Sequence, residues 1–381
     1  MTRTPFIATT ATAILLTLSG CELGPKESQQ TGYRGTGLAQ ITDASNVKAA
    51  AVIPPVPYEL EIAPDSPRAS EVYQNVQVLG DLSADEFNHL MASITQMVSP
   101  EQGCTYCHDA ENMADESLYT KQVARTMLRM TRSLNGEWSN HTGVTGVTCY
   151  TCHRGQPVPA NVWNQPQPTP LLAVRGQKRG QNTPDANVGY SSLPTDVFTR
   201  YFEGNPGVIR VASNSAYPGA NKLTTRDAED SYAIMMHTSQ ALGVNCTFCH
   251  NSQSFKSWSL SRAQRATAWY GINMVRDINH QYITPLAGVF PANRKGPMGD
   301  PYKVNCLTCH QGVNKPLGGA PMITQYPYLR PAVAVAAAPQ SAAAAGVPAV
   351  LDQPAEMTSD ISPPNVPSTQ LNNTGSPTGT R

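Results

Sequence analysis

Eight of the nine cysteines in this 381-residue chain fall into four copies of one pattern, C-x-x-C-H. The copies are Cys104/Cys107 with His108, Cys149/Cys152 with His153, Cys246/Cys249 with His250, and Cys306/Cys309 with His310. Two thiols at this spacing, followed at once by an imidazole, are the attachment sequence for haem c. The thiols add to the two vinyl groups of the porphyrin. The adjacent histidine then offers a nitrogen to one face of the iron. Disulfides are the usual use of many cysteines in an exported chain, but they do not explain a histidine after every pair. The sequence therefore predicts four covalently bound haem c groups.

Each iron needs a ligand on its second face, and helices near the motifs must supply it. A capping box at Ser83-Ala84-Asp85-Glu86 opens a first helix, with Phe87, Leu90, Met91, Ile94 and Val98 at helical spacing and Ser99-Pro100 as its end. A second helix is expected over about 117–134, with Val123, Met127, Met130 and Leu134 on one face and Asn135-Gly136 as the stop. A third covers about 228–242, its stripe formed by Tyr232, Met235, Ser239 and Leu242, with Gly243 just beyond. A fourth starts at a second box, Ser261-x-x-Gln264, and continues to about Asn279.

All four helices carry methionine. Methionine at helical spacing is ordinarily core filler, yet a thioether sulfur is also a good sixth ligand for an electron-transfer haem. Pattern favours Met91 over Met97, which sits in the fraying last turn. It favours Met235 over Met236 and offers Met274 on the fourth helix, but it barely separates Met127 from Met130. Four histidines lie outside the motifs. His89 and His237 are two residues from a candidate methionine and so face elsewhere, and His280 follows the fourth helix. His141 sits in the turn-rich run Asn140-His141-Thr142-Gly143 and could reach a haem of the other half. Arg125, Arg129, Arg132, Arg154, Arg262 and Arg265 either neutralise haem propionates or form solvated helix faces.

The ends of the chain have a different character. Arg3 precedes an apolar run from Ile7 to Leu18, then Ser19-Gly20-Cys21. The run is too short for a membrane-spanning helix and reads as a signal peptide over 1–20. Leu18-Ser19-Gly20-Cys21 has the form of a bacterial lipoprotein cleavage site, which makes Cys21 a lipid-attachment residue and anchors the protein to a membrane. Residues 21–70 read as a lipid-anchored extended arm, and 331–381, rich in Ala, Pro, Ser and Thr, as a disordered tail. Between them lies a duplication: a first dihaem repeat over 71–155, an insertion over 156–224, and a second dihaem repeat over 225–330. First motifs resemble first motifs (Cys104-Thr105-Tyr106-Cys107-His108, Cys246-Thr247-Phe248-Cys249-His250), and second resemble second. The expected fold is mainly α with much irregular structure, in two dihaem halves related by a pseudo-twofold axis. The 27 basic and 27 acidic residues balance to a formal net charge of +0, which excludes a general attraction to nucleic acid. Only 14% of residues are charged, and 32 prolines and 28 glycines argue for long irregular stretches.

With these residues in place, the chain resembles the tetrahaem cytochrome subunit of purple-bacterial photosynthetic reaction centres. The resemblance covers roughly 70–325 and the lipid-type N-terminus, and is most specific over Phe87–His108, Ala124–Asn135, Gly143–Gly155, Ala233–His250 and Ala268–Asn279. It implies axial pairs Met91/His108, Met127/His153 and Met235/His250, and a bis-histidine fourth haem with His141 and His310. Met274 then becomes packing. It also implies a periplasmic, membrane-anchored electron-transfer protein without substrate chemistry of its own. Its partners would be the reaction-centre core and special pair, with a soluble cytochrome c or high-potential iron–sulfur protein as donor. Two other readings share the motifs: a general multihaem periplasmic carrier, and a multihaem oxidoreductase. The latter requires an open iron position, for which the sequence offers no evident candidate.

Overall fold

The computed structural model describes residues 26–30, 39–167, 180–183, 185–204, 209 and 223–331. The expected signal peptide, Cys21 and the tail from 332 onward lie outside these residues.

The arm is not simply extended. Strand β1 (Lys26–Gln30) pairs antiparallel with β2 (Ala39–Asp43), and helix α1 (Ala44–Ala50) follows, capped by the Asp43 side chain. Gln40 is buried, its Oε1 accepting from the Asn245 backbone N–H at 3.1 Å, while Asn245 Nδ2 donates to the Ala39 carbonyl at 3.1 Å. The arm thus seats on the turn that opens the third motif. After the short α2 (Ala69–Val72), helix α3 (Ala84–Val98) begins at the predicted capping box, with Ser83 and Glu86 satisfying each other's backbone N–H. Helix α4 (Tyr119–Gly136) is followed by the single turn α5 (Ser139–Thr142), and α6 (Cys149–His153) holds the second motif. Helix α7 (Thr225–Leu242) ends at Gly243, in the left-handed region at φ 62 where glycine carries no Cβ penalty. Helix α8 (Ala263–Asp277) runs into a π-helical turn, Ile278–Ile283, and α9 (Cys306–His310) holds the fourth motif. The first and third motifs sit on 3₁₀ turns, Gly103–Tyr106 and Cys246–Phe248.

Two sequence expectations fail on inspection of side chains. Ser261 does not cap α8: its hydroxyl donates to the Ser257 carbonyl at 2.5 Å and accepts from Arg265 at 2.8 Å, and Arg262 takes the N-cap position. On α7 the core face is Ala233, Ile234, His237 and Ala241, whereas Tyr232 is 66% exposed. The Pro/Gly-bearing insertion proved to contribute an aromatic core. Trp163, Phe198, Tyr201 and Phe202 pack with Ile234, Ile272 and Val275, and each such burial contributes about 1.5–3 kcal/mol. In the first half, Leu90, Met97 and Leu128 are closed over by a strap from the chain's other end, Met322, Ile323, Tyr326, Tyr328 and Leu329.

The second motifs are held by matching clamps. Asn135, near the end of α4, accepts from the Val147 N–H at 2.7 Å and donates to the Val147 carbonyl at 2.8 Å. Asn279, just past α8, accepts from the Val304 N–H at 2.9 Å and donates to the Val304 carbonyl at 3.0 Å. Each valine lies two residues before the first cysteine of its motif. Another pair of bonds ties the motif ends to the helices: Gly155 N–H donates to Met97 and Gly312 N–H to Ala241, both at 2.9 Å. Met97 and Ala241 each lie six residues beyond a candidate ligand, Met91 and Met235. Asn279 is fully buried and also donates to the Phe202 carbonyl at 3.1 Å. Asn279→Ala should therefore cost about 3 kcal/mol, since each buried backbone group left unpaired costs about 1–3 kcal/mol. Guanidinium denaturation of the haem-loaded protein measures this; a loss below about 0.5 kcal/mol, the level of an ordinary surface substitution, would contradict the clamp.

Candidate functional site

A histidine can serve iron through Nε2 only if Nδ1 is protonated and its ring is held in place. All four motif histidines meet this condition. His108 Nδ1 lies 2.8 Å from the Met113 carbonyl and His250 Nδ1 2.9 Å from the Phe255 carbonyl, each five residues on. His153 Nδ1 lies 2.8 Å from the Gln156 carbonyl and His310 Nδ1 3.0 Å from the Val313 carbonyl, each three residues on. A carbonyl oxygen only accepts, so in each bond Nδ1–H donates and the Nε2 lone pair stays available. One loop length recurs in the first and third motifs and another in the second and fourth.

The four other histidines separate by the same test. His141 Nδ1 donates to the Thr267 carbonyl at 2.9 Å, leaving Nε2 available. His89 uses both nitrogens, Nε2 donating to the Tyr58 carbonyl at 3.1 Å and Nδ1 accepting from the Tyr328 hydroxyl at 2.6 Å. His280 Nε2 donates to the Glu203 carbonyl. His237 is buried against Phe198, and its Nε2 has no hydrogen-bond partner. His89 and His237 are buried in the core, at 1% exposure each.

His141 and His310 face each other with ring centroids 6.0 Å apart. Two imidazoles on one metal, each about 2 Å away through nitrogen, place their centroids roughly 6 Å apart. Gly271 in α8 makes the approach possible: a Cβ there would lie 2.5 Å from His141 Cε1. Burial pushes the His310 imidazole down to about 4, with the neighbouring His141 adding to the effect. His141, His153 and His250 are likewise lowered by burial, the direction that favours the neutral imidazole iron ligation requires.

The methionines divide by packing. Met97 is 1% exposed and fills core, whereas Met91 is only partly buried, in a cluster that includes Cys149 and Tyr150. Met127 and Met130 line one cluster with Leu134 and Met274. The Met127 carbonyl accepts from Thr131 at 2.8 Å, just as the Met91 carbonyl accepts from Thr95 at 3.1 Å. Met235 packs at the edge of the cluster that holds Cys306 and Leu307, while Gly189 lies against Met236. Met274 is 7% exposed, among Leu134, Ile278 and Ile283.

Burial keeps the thiols protonated, pushing Cys149 and Cys249 up to about 11 and Cys306 to about 12. Such apolar surroundings suit the edge of a porphyrin. One cysteine pair departs from the expectation of free thiols. Cys152 and Cys309, the second cysteines of the two second motifs, are joined as a disulfide with Cα atoms 4.5 Å apart. The physical reason is that α6 and α9 pack against each other and bring these equivalent positions face to face. A disulfide and two thioethers compete for the same sulfurs. The two backbones match each other, each a five-residue helix capped by Thr148 or Asn305 and ended by a left-handed residue, Arg154 or Gln311.

Among the described residues no cluster of three or more His, Cys, Asp or Glu side chains could hold a free metal ion, and no helix is long and apolar enough to cross a membrane. Of the six arginines singled out from sequence, Arg125 pairs with Glu116 and Arg132 with Asp81. Arg154, Arg262 and Arg265 lie over the rings of Tyr150, Phe248 and Trp258. Arg129 is exposed. The Asn135 and Asn279 clamps were missed as positioning residues because Asn135 reads as an ordinary helix stop. Their shared signal is an asparagine at a helix end ahead of the second motif of each repeat.

Comparison with known proteins places this site in a family. The family model for the photosynthetic reaction centre cytochrome C subunit matches residues 22–330. The photosynthetic reaction center cytochrome c subunit of Rubrivivax gelatinosus is 48% identical over 335 residues, 87% of this chain and 90% of the relative. That of Thermochromatium tepidum is 46% identical over 327 residues, 85% of this chain and 80% of the relative. That of Roseobacter denitrificans is 37% identical over 318 residues, 79% and 85% of the two chains. The repeated haem-attachment motifs and the match along nearly the whole described body lead to one assignment: the chain belongs to the family of photosynthetic reaction centre cytochrome c subunits.

Proposed function

We propose that this protein re-reduces the photo-oxidised special pair of a reaction centre, passing electrons through four c-type haems from a soluble cytochrome c or high-potential iron–sulfur protein. Family membership carries the electron-transfer role and the covalent haem c. The observation that carries the four sites is the set of five imidazoles, the motif histidines and His141, each locked through Nδ1 to a backbone carbonyl. In the haem-loaded protein the eight motif cysteines, Cys152 and Cys309 included, form thioethers. Met91 with His108, Met127 with His153, Met235 with His250, and His141 with His310 would hold the four irons. Haem supplies the one-electron chemistry. The chain positions each ring, excludes water and sets each potential through ligand type, burial and nearby charge. Two side chains of the chain would hold each iron, and the protein acts as an electron carrier without enzymatic turnover of its own.

The matching clamps and glycine bonds support a pseudo-twofold relation between the two dihaem halves. Residues related by a two-fold touch where they lie close to its axis, and the contact of Cys152 with Cys309 fits that relation. On this reading the second and fourth haems are the inner pair and the first and third the outer pair, an order of 1-2-4-3. The arm seated on the third motif brings the chain's start to the outer haem of the second half. A lipid on Cys21 would hold that end at the periplasmic face of the photosynthetic membrane.

Flash excitation of native membranes with the haems reduced is expected to bleach the haem α-band as the special pair recovers, and deletion of this protein to abolish that signal. Haems that stay reduced while the special pair turns over would leave a general periplasmic carrier instead. Gly271→Ala is expected to displace His141 and convert the fourth haem from low to high spin, visible as a new high-spin ferric signal in electron paramagnetic resonance. An unchanged four-haem low-spin spectrum would count against His141 as the ligand. Met127→His should lower one midpoint potential selectively; if Met130→His does so instead, the ligand is Met130.

A further inference from the structure

Lysine is almost never fully buried unless it is paired, and Lys303 has 0% of its surface exposed. It stands three residues before Cys306, the first cysteine of the fourth motif. Its backbone pairs with Trp163, the Lys303 N–H donating to the Trp163 carbonyl at 2.7 Å and the Lys303 carbonyl accepting from the Trp163 N–H at 2.9 Å. Its Nζ lies 4.7 Å from the centre of the Trp163 ring. The same ring packs in the apolar cluster that holds Cys306, and its Nε1 donates to the Val304 carbonyl at 2.9 Å. The ammonium is thus built into the packing that surrounds the fourth motif.

Two carboxylates meet this one ammonium. Asp300 Oδ2 accepts from Nζ, and Glu203 Oε1 lies 3.4 Å away. Gln165 ties the two acids together, its backbone N–H donating to Asp300 at 2.8 Å and its Nε2 to Glu203 at 2.8 Å. Both carboxylates are mostly buried, with side-chain exposures of 13% for Asp300 and 19% for Glu203. Asp300 Oδ1 is buried with no hydrogen-bond partner, and no other cation pairs with either acid among the described residues. Two carboxylates against one ammonium leave one net negative charge in place. At the second motif the matching position carries no charge. Its clamp valine, Val147, is preceded by Gly146, where a Cβ would lie 2.8 Å from Ile323, whereas Val304 is preceded by Lys303.

We propose that Lys303, Asp300 and Glu203 form a potential-setting cluster that lowers the midpoint of the haem attached at Cys306 and Cys309. Oxidation adds one positive charge to the haem iron. A fixed net negative charge nearby stabilises that charge and favours the oxidised form. Burial of the cluster keeps salt and solvent from screening it. The effect adds to that of bis-histidine ligation. Trp163, Gln165 and Glu203 all come from the insertion, so the insertion supplies both the packing of the lysine and the second carboxylate.

The inference rests on the four-haem reading above, and the experiment separates the two. Asp300→Asn, Glu203→Gln and Lys303→Met are made in the full-length, haem-loaded protein. Haem per chain is counted by pyridine haemochrome, and midpoints are taken from spectroelectrochemical titration. The fourth haem is identified as the bis-histidine component that His141→Leu removes. Asp300→Asn and Glu203→Gln should each move its oxidised-to-reduced ratio at fixed potential about tenfold toward reduced, a rise of about 59 mV for one electron. Lys303→Met leaves both carboxylates and should lower the same midpoint. A charge effect reverses sign between the acids and the lysine, whereas loosened packing would carry one sign in all three variants. Four haems with that midpoint unmoved in Asp300→Asn and Glu203→Gln, or shifted in one direction by all three variants, would overturn the proposal. If Lys303→Met fails to load its haems, as loss of one partner of a buried ion pair can cause, the two carboxylate variants decide. Fewer than four haems, or no bis-histidine component, in the unmodified protein would instead overturn the reading on which the proposal rests.

Discussion

A histidine beside two thioether-forming cysteines is not yet a ligand, because an imidazole turned the wrong way or protonated on both nitrogens offers the iron nothing. The bond from Nδ1–H to a nearby backbone carbonyl removes both problems. It fixes the tautomer, and it ties the ring to a loop whose length recurs, five residues for the first motifs and three for the second. Burial works in the same direction, since a buried imidazole with no anionic partner stays neutral. The short helices, the left-handed residues at Arg154 and Gln311 and the asparagine clamps all serve to put those carbonyls where the rings need them.

Holding four such sites leaves little room for a conventional core. The described part has two principal apolar clusters and one smaller one, and each is assembled from distant segments. The insertion covers the second half with Phe198, Tyr201 and Phe202, and the 322–329 strap covers the first half. Between these clusters His141 meets His310 and Cys152 meets Cys309, so segments more than 150 residues apart in sequence complete one another.

Much of this was legible in the sequence for local reasons. The C-x-x-C-H runs are contiguous, the Ser83–Glu86 box makes its bonds within four residues, and Gly243 ends its helix where the pattern stops. Long-range features were not legible in the same way. Asn279 reads as the end of a helix until its side chain is seen on Val304. His141 required the family resemblance, because its carbonyl partner Thr267 lies 126 residues away. Gly271 has no local signature, since its role is to leave space for that ring. The stripe drawn through Tyr232 failed because the insertion, not the helix period, decides which face of α7 is covered.

Ligand type is the central claim of the proposed function, since ligand type sets haem potential. Near-infrared magnetic circular dichroism of the oxidised, haem-loaded protein reads it directly, because methionine–histidine and bis-histidine haems absorb at different energies. The account predicts three haems of the first kind and one of the second, with the single bis-histidine signal lost in His141→Leu. Four methionine–histidine haems, or a bis-histidine signal that survives that substitution, would contradict it.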